Sequence, residues 1–192
     1  GCGLNFDPLP EMVTARNPEP RFLLVGRDFK RKGGEVLLEA FRQVRRKMRN
    51  ATLVIIGPEL QNLPDGVECR GFLRRENPAH VEILEEEYRK ASVYVLPSLY
   101  EPFGISLLEA MAHGLPCIGV REFAMPEIIV EGETGLLVER GDAGSLANAM
   151  LEIAASPPMG TEFGIAGRKR LETQFTWAAV ARRMADAMAV MT

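Results

Sequence analysis

Short, almost continuous apolar runs alternate along the chain with longer stretches whose apolar positions recur at helical spacing. In chain order the runs are Phe22–Val25, Thr52–Ile56, a weaker Val67–Phe72 after the turn "PDG", Val93–Leu96, Cys117–Val120 and Leu136–Val138, and all but the weaker one are closed by glycine, proline or a polar turn. Between the first two, Leu37, Phe41, Val44 and Met48 fall at +4, +3 and +4, one stripe of a helix from about Gly34 to Met48. Val81, Leu84 and Tyr88 mark a second helix in "VEILEEEYRKA". The segment "ISLLEAMAH", stopped by Gly114 and Pro116, predicts a third. A short helix is expected from Pro126 to Val130. Asp142 or Ser145 can cap the helix containing "LANAMLEIAA". The Pro157–Pro158 pair reads as a break, with two further helical segments near 160–173 and 177–190.

Strands that are apolar throughout, rather than alternating, belong to a sheet covered on both faces. Their alternation with helices makes that sheet parallel. The expected fold is α/β: a Rossmann-like, doubly wound parallel sheet of about six strands with helices on both faces.

Composition narrows the setting more than the chemistry. The 192 residues are 46% hydrophobic and 26% charged, with a net charge of −3. That is an ordinary globular balance, and it points to neither nucleic acid nor an acidic partner. Three scattered cysteines, Cys2, Cys69 and Cys117, lack metal spacing and suit a reducing cytoplasm better than a disulfide scaffold. No run approaches the roughly 20 apolar residues of a membrane span, and the first residues lack a signal peptide's basic and apolar regions. Residues 1–20 carry Pro8, Pro10, Pro18 and Pro20, which exclude helix, and the chain starts without Met. They read as an extended linker leading out of a preceding domain. Arg42, Arg45, Arg46, Lys47 and Arg49 crowd one helix face and its C-terminal end. They read as a solvated face that also complements the helix dipole.

In an open parallel sheet, ligands bind beyond the carboxyl ends of the strands. After the first run stand Gly26, Arg27 and Lys32; after the second, Gly57; after the fourth, Glu101, Phe103, Gly104 and a helix start. Cations and a helix N-terminus suit phosphate, because unpaired backbone N–H groups and the dipole both favour an anion. Carboxylates suit sugar hydroxyls. A ligand with both phosphate and sugar satisfies the whole set. Ser106, Glu109 and His113 share one face of their helix, and the plain reading of spacing alone is that this face meets water. Motifs for other chemistries are missing: no GxGxxG follows the first strand, no P-loop and no Gly-x-Ser-x-Gly elbow occur, and there are only two histidines.

Four segments in order, "VGRDFKRKGG", "LPSLYEPFGISLLEAMAHGLPCI", "PEII-EGETGLLV" and the tail "FTW", make nearly the whole chain resemble one family. It resembles the C-terminal, nucleotide-sugar-binding domain of retaining glycosyltransferases of family 4, the group 1 transferases of GT-B fold. The central segment carries that family's Glu-x7-Glu pattern as Glu101 and Glu109. The resemblance implies that Arg27 and Lys32 grip the donor diphosphate, that Glu101 faces the transferred sugar, and that Glu109 meets the ribose hydroxyls. It implies further donor contacts from Gly26, from the backbone around Phe103, Gly104, Ile105 and Ser106, and a nucleobase near Gly57 and Arg70, Gly71 and Phe72. No bound metal or other cofactor is expected. The implied partners are a UDP-, GDP- or ADP-sugar and a glycan or lipid acceptor held by an absent N-terminal domain, with peripheral membrane contact of the full-length protein left open. The segment 176–192 is expected to cross towards that absent domain, leaving 21–175 as the donor-binding unit.

The chain departs from the family at two places: the second run ends in "GPE" without the family's longer "GxGP" loop, which bears on the base contact, and the other lies before the Pro-Glu. A Gly-Gly pair commonly precedes the Pro-Glu, and here the stretch is "REFAMPE", with Phe123, Ala124 and Met125. A non-catalytic sugar-nucleotide-binding module, or an epimerase or phosphorylase of similar fold, remains an alternative at this stage.

Overall fold

The structure, a computed structural model, describes residues 8–13 and 19–190. The expected Cys2 and parts of the lead-in lie outside them. The chain order is β1 (Arg21–Val25), α1 (Gly34–Lys47), β2 (Thr52–Ile56), β3 (Val67–Cys69), α2 (Pro78–Lys90), β4 (Val93–Val95) and α3 (Ile105–Ala112). It continues with β5 (Cys117–Val120), α4 (Met125–Ile128), β6 (Gly135–Val138), α5 (Ala143–Ala155), α6 (Pro157–Gln174) and α7 (Trp177–Val190).

All six strands are parallel, in the order β3-β2-β1-β4-β5-β6. The winding reverses between β1 and β4, where Phe22 pairs with Val93 and Leu23 with Tyr94. Strand residues such as Phe22, Leu24, Leu53, Ile55, Tyr94 and Ile118 have no exposed surface. This is why the runs are apolar on both faces. Phe22 meets Phe41 of α1 edge-on, whereas Tyr94 lies against Tyr88 of α2. The two helices therefore cover opposite faces. Helix α5 packs beside α1, and α6 beside α3.

Three expectations are sharpened or moved. The third strand ends at Cys69 rather than Phe72, because Gly71 turns the backbone into the left-handed region at φ +65°. The proline pair does separate α5 from α6, but it also opens α6, which starts at Pro157 rather than near 160, because a missing N–H and a fixed φ are tolerated in a first turn. Asp142, not Ser145, caps α5, accepting from the backbone N–H of Gly144 (2.8 Å) and of Ser145 (3.1 Å). Residues 8–13 lie along the domain: the Arg168 guanidinium donates to the Pro10 carbonyl at 2.8 Å, and Met12 meets Gly114.

Candidate active site

The switch point opens into a cleft of about 870 Å³, walled by Gly26, Lys32, Arg75, Glu101, Gly104 and Glu109 among others. Its floor is built by close backbone contact. Gly33 sits at φ +72°, and a Cβ there would stand 2.0 Å from the Pro97 carbonyl oxygen. Only glycine allows the loop after β1 to press against the exit of β4. The Leu99 N–H bonding the Arg31 carbonyl (2.8 Å) and the Arg31 guanidinium bonding the Tyr100 carbonyl (3.0 Å) fasten the two loops together. Gly26 leaves room for the Lys32 stem, since a Cβ there would come within 2.8 Å of the lysine Cγ.

That path brings the Lys32 ammonium onto a carboxylate oxygen of Glu101, which also accepts from the Ser98 hydroxyl at 3.3 Å. Both Lys32 and Glu101 are buried, at 8% and 6% exposure. Arg31 stands 3.8 Å from the same carboxylate. Gly104, left-handed at φ +93°, starts α3 with no side-chain cap. The first amides of α3 therefore remain available to a ligand in the cleft, beside Phe103, Ile105 and Ser106.

The polar face of α3 turns inward, so the plain solvent-facing alternative does not hold. Glu109 is 6% exposed; its carboxylate accepts from the Tyr88 hydroxyl (2.9 Å) and from Arg75. Burial pushes the Glu109 carboxyl above the usual carboxylate range, against the opposing pull of Arg75 and the Tyr88 hydroxyl. Burial, and then the Glu109 charge, push the Tyr88 phenol well above its ordinary value. His113 stacks on Tyr88 at 4.8 Å and its Nδ1 lies 2.9 Å from the Glu109 carbonyl. It belongs to the packing behind the cleft.

Arg27, Gly57 and Arg70–Phe72 gather along the same sheet edge, at the ends of β1, β2 and β3. The Gly57 N–H bonds the Gly71 carbonyl at 2.8 Å, and the Arg27 guanidinium lies over the half-exposed Phe72 ring at 5.1 Å. Arg70 turns away from that ring, to Glu87 (2.7 Å) and Glu68 (2.6 Å). Sequence reasoning missed Arg31, Arg75, Tyr88 and Tyr100. Arg31 had a signal, standing beside Lys32 in a basic loop. Arg75 had none, because its partner is 34 residues away. Together, three cations face two carboxylates around a free helix start, a combination that can hold an anionic group and hydroxyls at once. Among the described residues no cluster of His, Cys, Asp and Glu could hold a metal ion, and no helix is long and apolar enough to cross a membrane.

A model of the family described as glycosyl transferases group 1 matches residues 19–156. The glycogen synthase of Mycobacterium tuberculosis is 33% identical over 182 residues, covering 90% of this chain and 44% of that protein. The sucrose-phosphate synthase of Thermosynechococcus elongatus superposes with a TM-score of 0.80 at 32% identity, covering 99% of this chain and 51% of that one. The C-terminal domain of a group 1 glycosyltransferase from Francisella tularensis gives a TM-score of 0.70 at 24% identity, covering 84% of this chain and 88% of that one. The chain spans less than half the length of the curated relatives it matches.

Proposed function

The chain belongs to the group 1 glycosyltransferases, and we propose that it is the donor-binding half of an enzyme that moves a sugar from a nucleoside diphosphate to an acceptor with retention of configuration. The observation that carries this reading is the meeting of Lys32, Glu101 and the start of α3 at the switch point of the sheet. The diphosphate lies against the first amides of α3 and the Lys32 ammonium. As the bond from the anomeric carbon to the phosphate oxygen breaks, negative charge grows on the departing diphosphate, and Lys32 neutralises it, joined by Arg27 if its guanidinium leaves the Phe72 ring. Glu101 holds hydroxyls of the transferred sugar and faces the positive charge developing on its ring. Glu109, one helical turn or two further in, accepts the ribose hydroxyls, sharing its carboxylate with Arg75. The base lies towards Gly57, Gly71 and Phe72.

The acceptor, a glycan or lipid, is held by a second domain outside this chain, which accords with the length of the relatives. Exposed apolar side chains on α7, Trp177, Met184 and Met188, support that helix as the surface such a domain covers.

Thermal unfolding of the chain with UDP-, GDP- and ADP-sugars tests the donor. The cognate donor at a hundred times its Kd adds about 2.7 kcal/mol, and no shift with any of them refutes the reading. Transfer by the full-length protein should be lost in Lys32→Ala and Glu101→Ala. Acceptor-dependent transfer by the 192-residue chain alone would refute the division of labour.

A further inference from the structure

Phe123 is out of place by every local rule. It is a bulky residue at φ +61°, in the left-handed region that glycine visits freely and aromatic residues almost never do. The loop from β5 to α4 enforces this conformation. The Arg121 N–H bonds the Val138 carbonyl (3.0 Å), Arg140 pairs with Glu122 (2.9 Å), and the Val120 N–H meets the Met125 sulfur (3.0 Å). Nor is the ring spent on the core: it is 39% exposed. It stands edge-on to Tyr100 at 5.4 Å and 78°, and Tyr100, itself 56% exposed, walls the cleft next to Glu101. Strain held in place by its surroundings, against a residue that walls the cleft, points to a functional position.

We propose that Phe123, propped edge-on by Tyr100, forms an aromatic rim whose ring stacks on the C–H face of a hexopyranose whose hydroxyls point at Glu101 and Lys32. This rests on reading the cleft as a nucleotide-sugar site. A pyranose presents polar edges and one face of C–H groups, and the electron-rich face of an aromatic ring attracts such positively polarised hydrogens. Phosphate gains nothing from these rings, and the base has its own aromatic neighbour in Phe72, at the other end of the sheet edge. This chain accepts a left-handed backbone at Phe123 to place a ring there, so the rim sets which sugar is held and how firmly.

The ring can be that of the donor sugar or that of an acceptor sugar, and titrations of the 192-residue chain separate the two. Parent, Phe123→Gly and Phe123→Asn are titrated calorimetrically with UDP, GDP and ADP, and with UDP-glucose, GDP-mannose and ADP-glucose. Saturation-transfer NMR is recorded with methyl α-glucopyranoside and methyl α-mannopyranoside. Both variants relieve the left-handed strain, so their thermal midpoints should stay within a few degrees of the parent. For a donor sugar, affinity for the sugar ester falls by about three- to tenfold while affinity for the bare nucleotide holds. For an acceptor sugar, both nucleotide affinities hold and the parent's glycoside signal disappears. Equal losses for nucleotide and sugar ester, or no change in any arm, overturn the rim while leaving the donor site standing. A parent that binds no nucleotide overturns the donor reading itself.

Discussion

Replacing Gly33 with alanine tests how the fold holds its cleft. The residue lies at φ +72°, which costs an L side chain about 1–2 kcal/mol. The new Cβ would also stand 2.0 Å from the Pro97 carbonyl oxygen, far inside the roughly 3.5 Å of ordinary contact. That oxygen is backbone and cannot rotate away, so the exit of β4 must move, as in an overpacked core, for about 1–3 kcal/mol more. The total of about 2–5 kcal/mol is a large part of the 5–15 kcal/mol typical of a domain. The thermal midpoint should fall by about 4–20 °C. Urea unfolding followed by far-ultraviolet circular dichroism reads the loss directly, with an unchanged dependence on denaturant if only stability has moved. The exit of β4 carries Ser98 and Glu101, so donor affinity should fall with it. Gly26→Ala is the contrast, since its Cβ meets only the flexible Lys32 stem: stability should change little while donor affinity drops. A Gly33→Ala loss below about 1 kcal/mol would show that the loops are not held by this contact.

Lys32→Met leaves Glu101 without its main partner and should cost about 1–3 kcal/mol, less than a fully buried pair because the site opens to solvent. The double variant Lys32→Met/Glu101→Leu should recover most of that, and urea melts showing two simply additive losses would contradict the coupling. Glu109 holds its proton more tightly in the fold than in the unfolded chain. Its contribution is therefore full below the unfolded carboxyl's value of about 4.3 and is lost as pH rises through the raised folded value. The stability of the parent relative to Glu109→Gln should fall over that window; an advantage that grows with pH is the adverse result. Met184→Glu with Met188→Glu should change the stability of the 192-residue chain by no more than about 0.5 kcal/mol each, while lowering the thermal midpoint of the full-length protein, whose second domain covers α7 in the proposed arrangement. An unchanged full-length midpoint would mean that α7 is not that surface.

Most of the sheet is legible in the sequence because its strands are buried on both faces, and a run such as Leu53–Ile56 or Cys117–Val120 has no other stable use. The exceptions are local. Val67–Phe72 is cut short where Gly71 adopts a left-handed φ that no apolar count reveals. Pro157–Pro158 marks the break between α5 and α6, but the new helix takes the prolines into its own first turn. Lys32, Glu101 and Glu109 were found because each stands just past a strand or on the helix that follows, and the topology gathers those places. The direction of the α3 face was not legible. Whether Glu109 meets water or Tyr88 depends on where α2 returns, and that follows from the crossover rather than from the spacing within α3.

The pairing inside the cleft explains why carboxylates belong in a site suited to phosphate. An isolated ammonium in a half-buried cleft loses hydration without compensation and would swing its long stem into solvent. Glu101 keeps the Lys32 ammonium in the cleft, and Glu109 draws the exposed Arg75 over its mouth. Arg31, held by the Tyr100 carbonyl, adds a third cation that neither carboxylate fully balances. The arrangement is net positive, so under the proposed function an arriving diphosphate would exchange partners with cations already in place and need not order mobile side chains. Hydroxyl groups on the same ligand then take up carboxylate lone pairs that the cations share. Removing either glutamate should therefore weaken binding of the nucleotide diphosphate as well as of the sugar, because the cation it positions is released along with it.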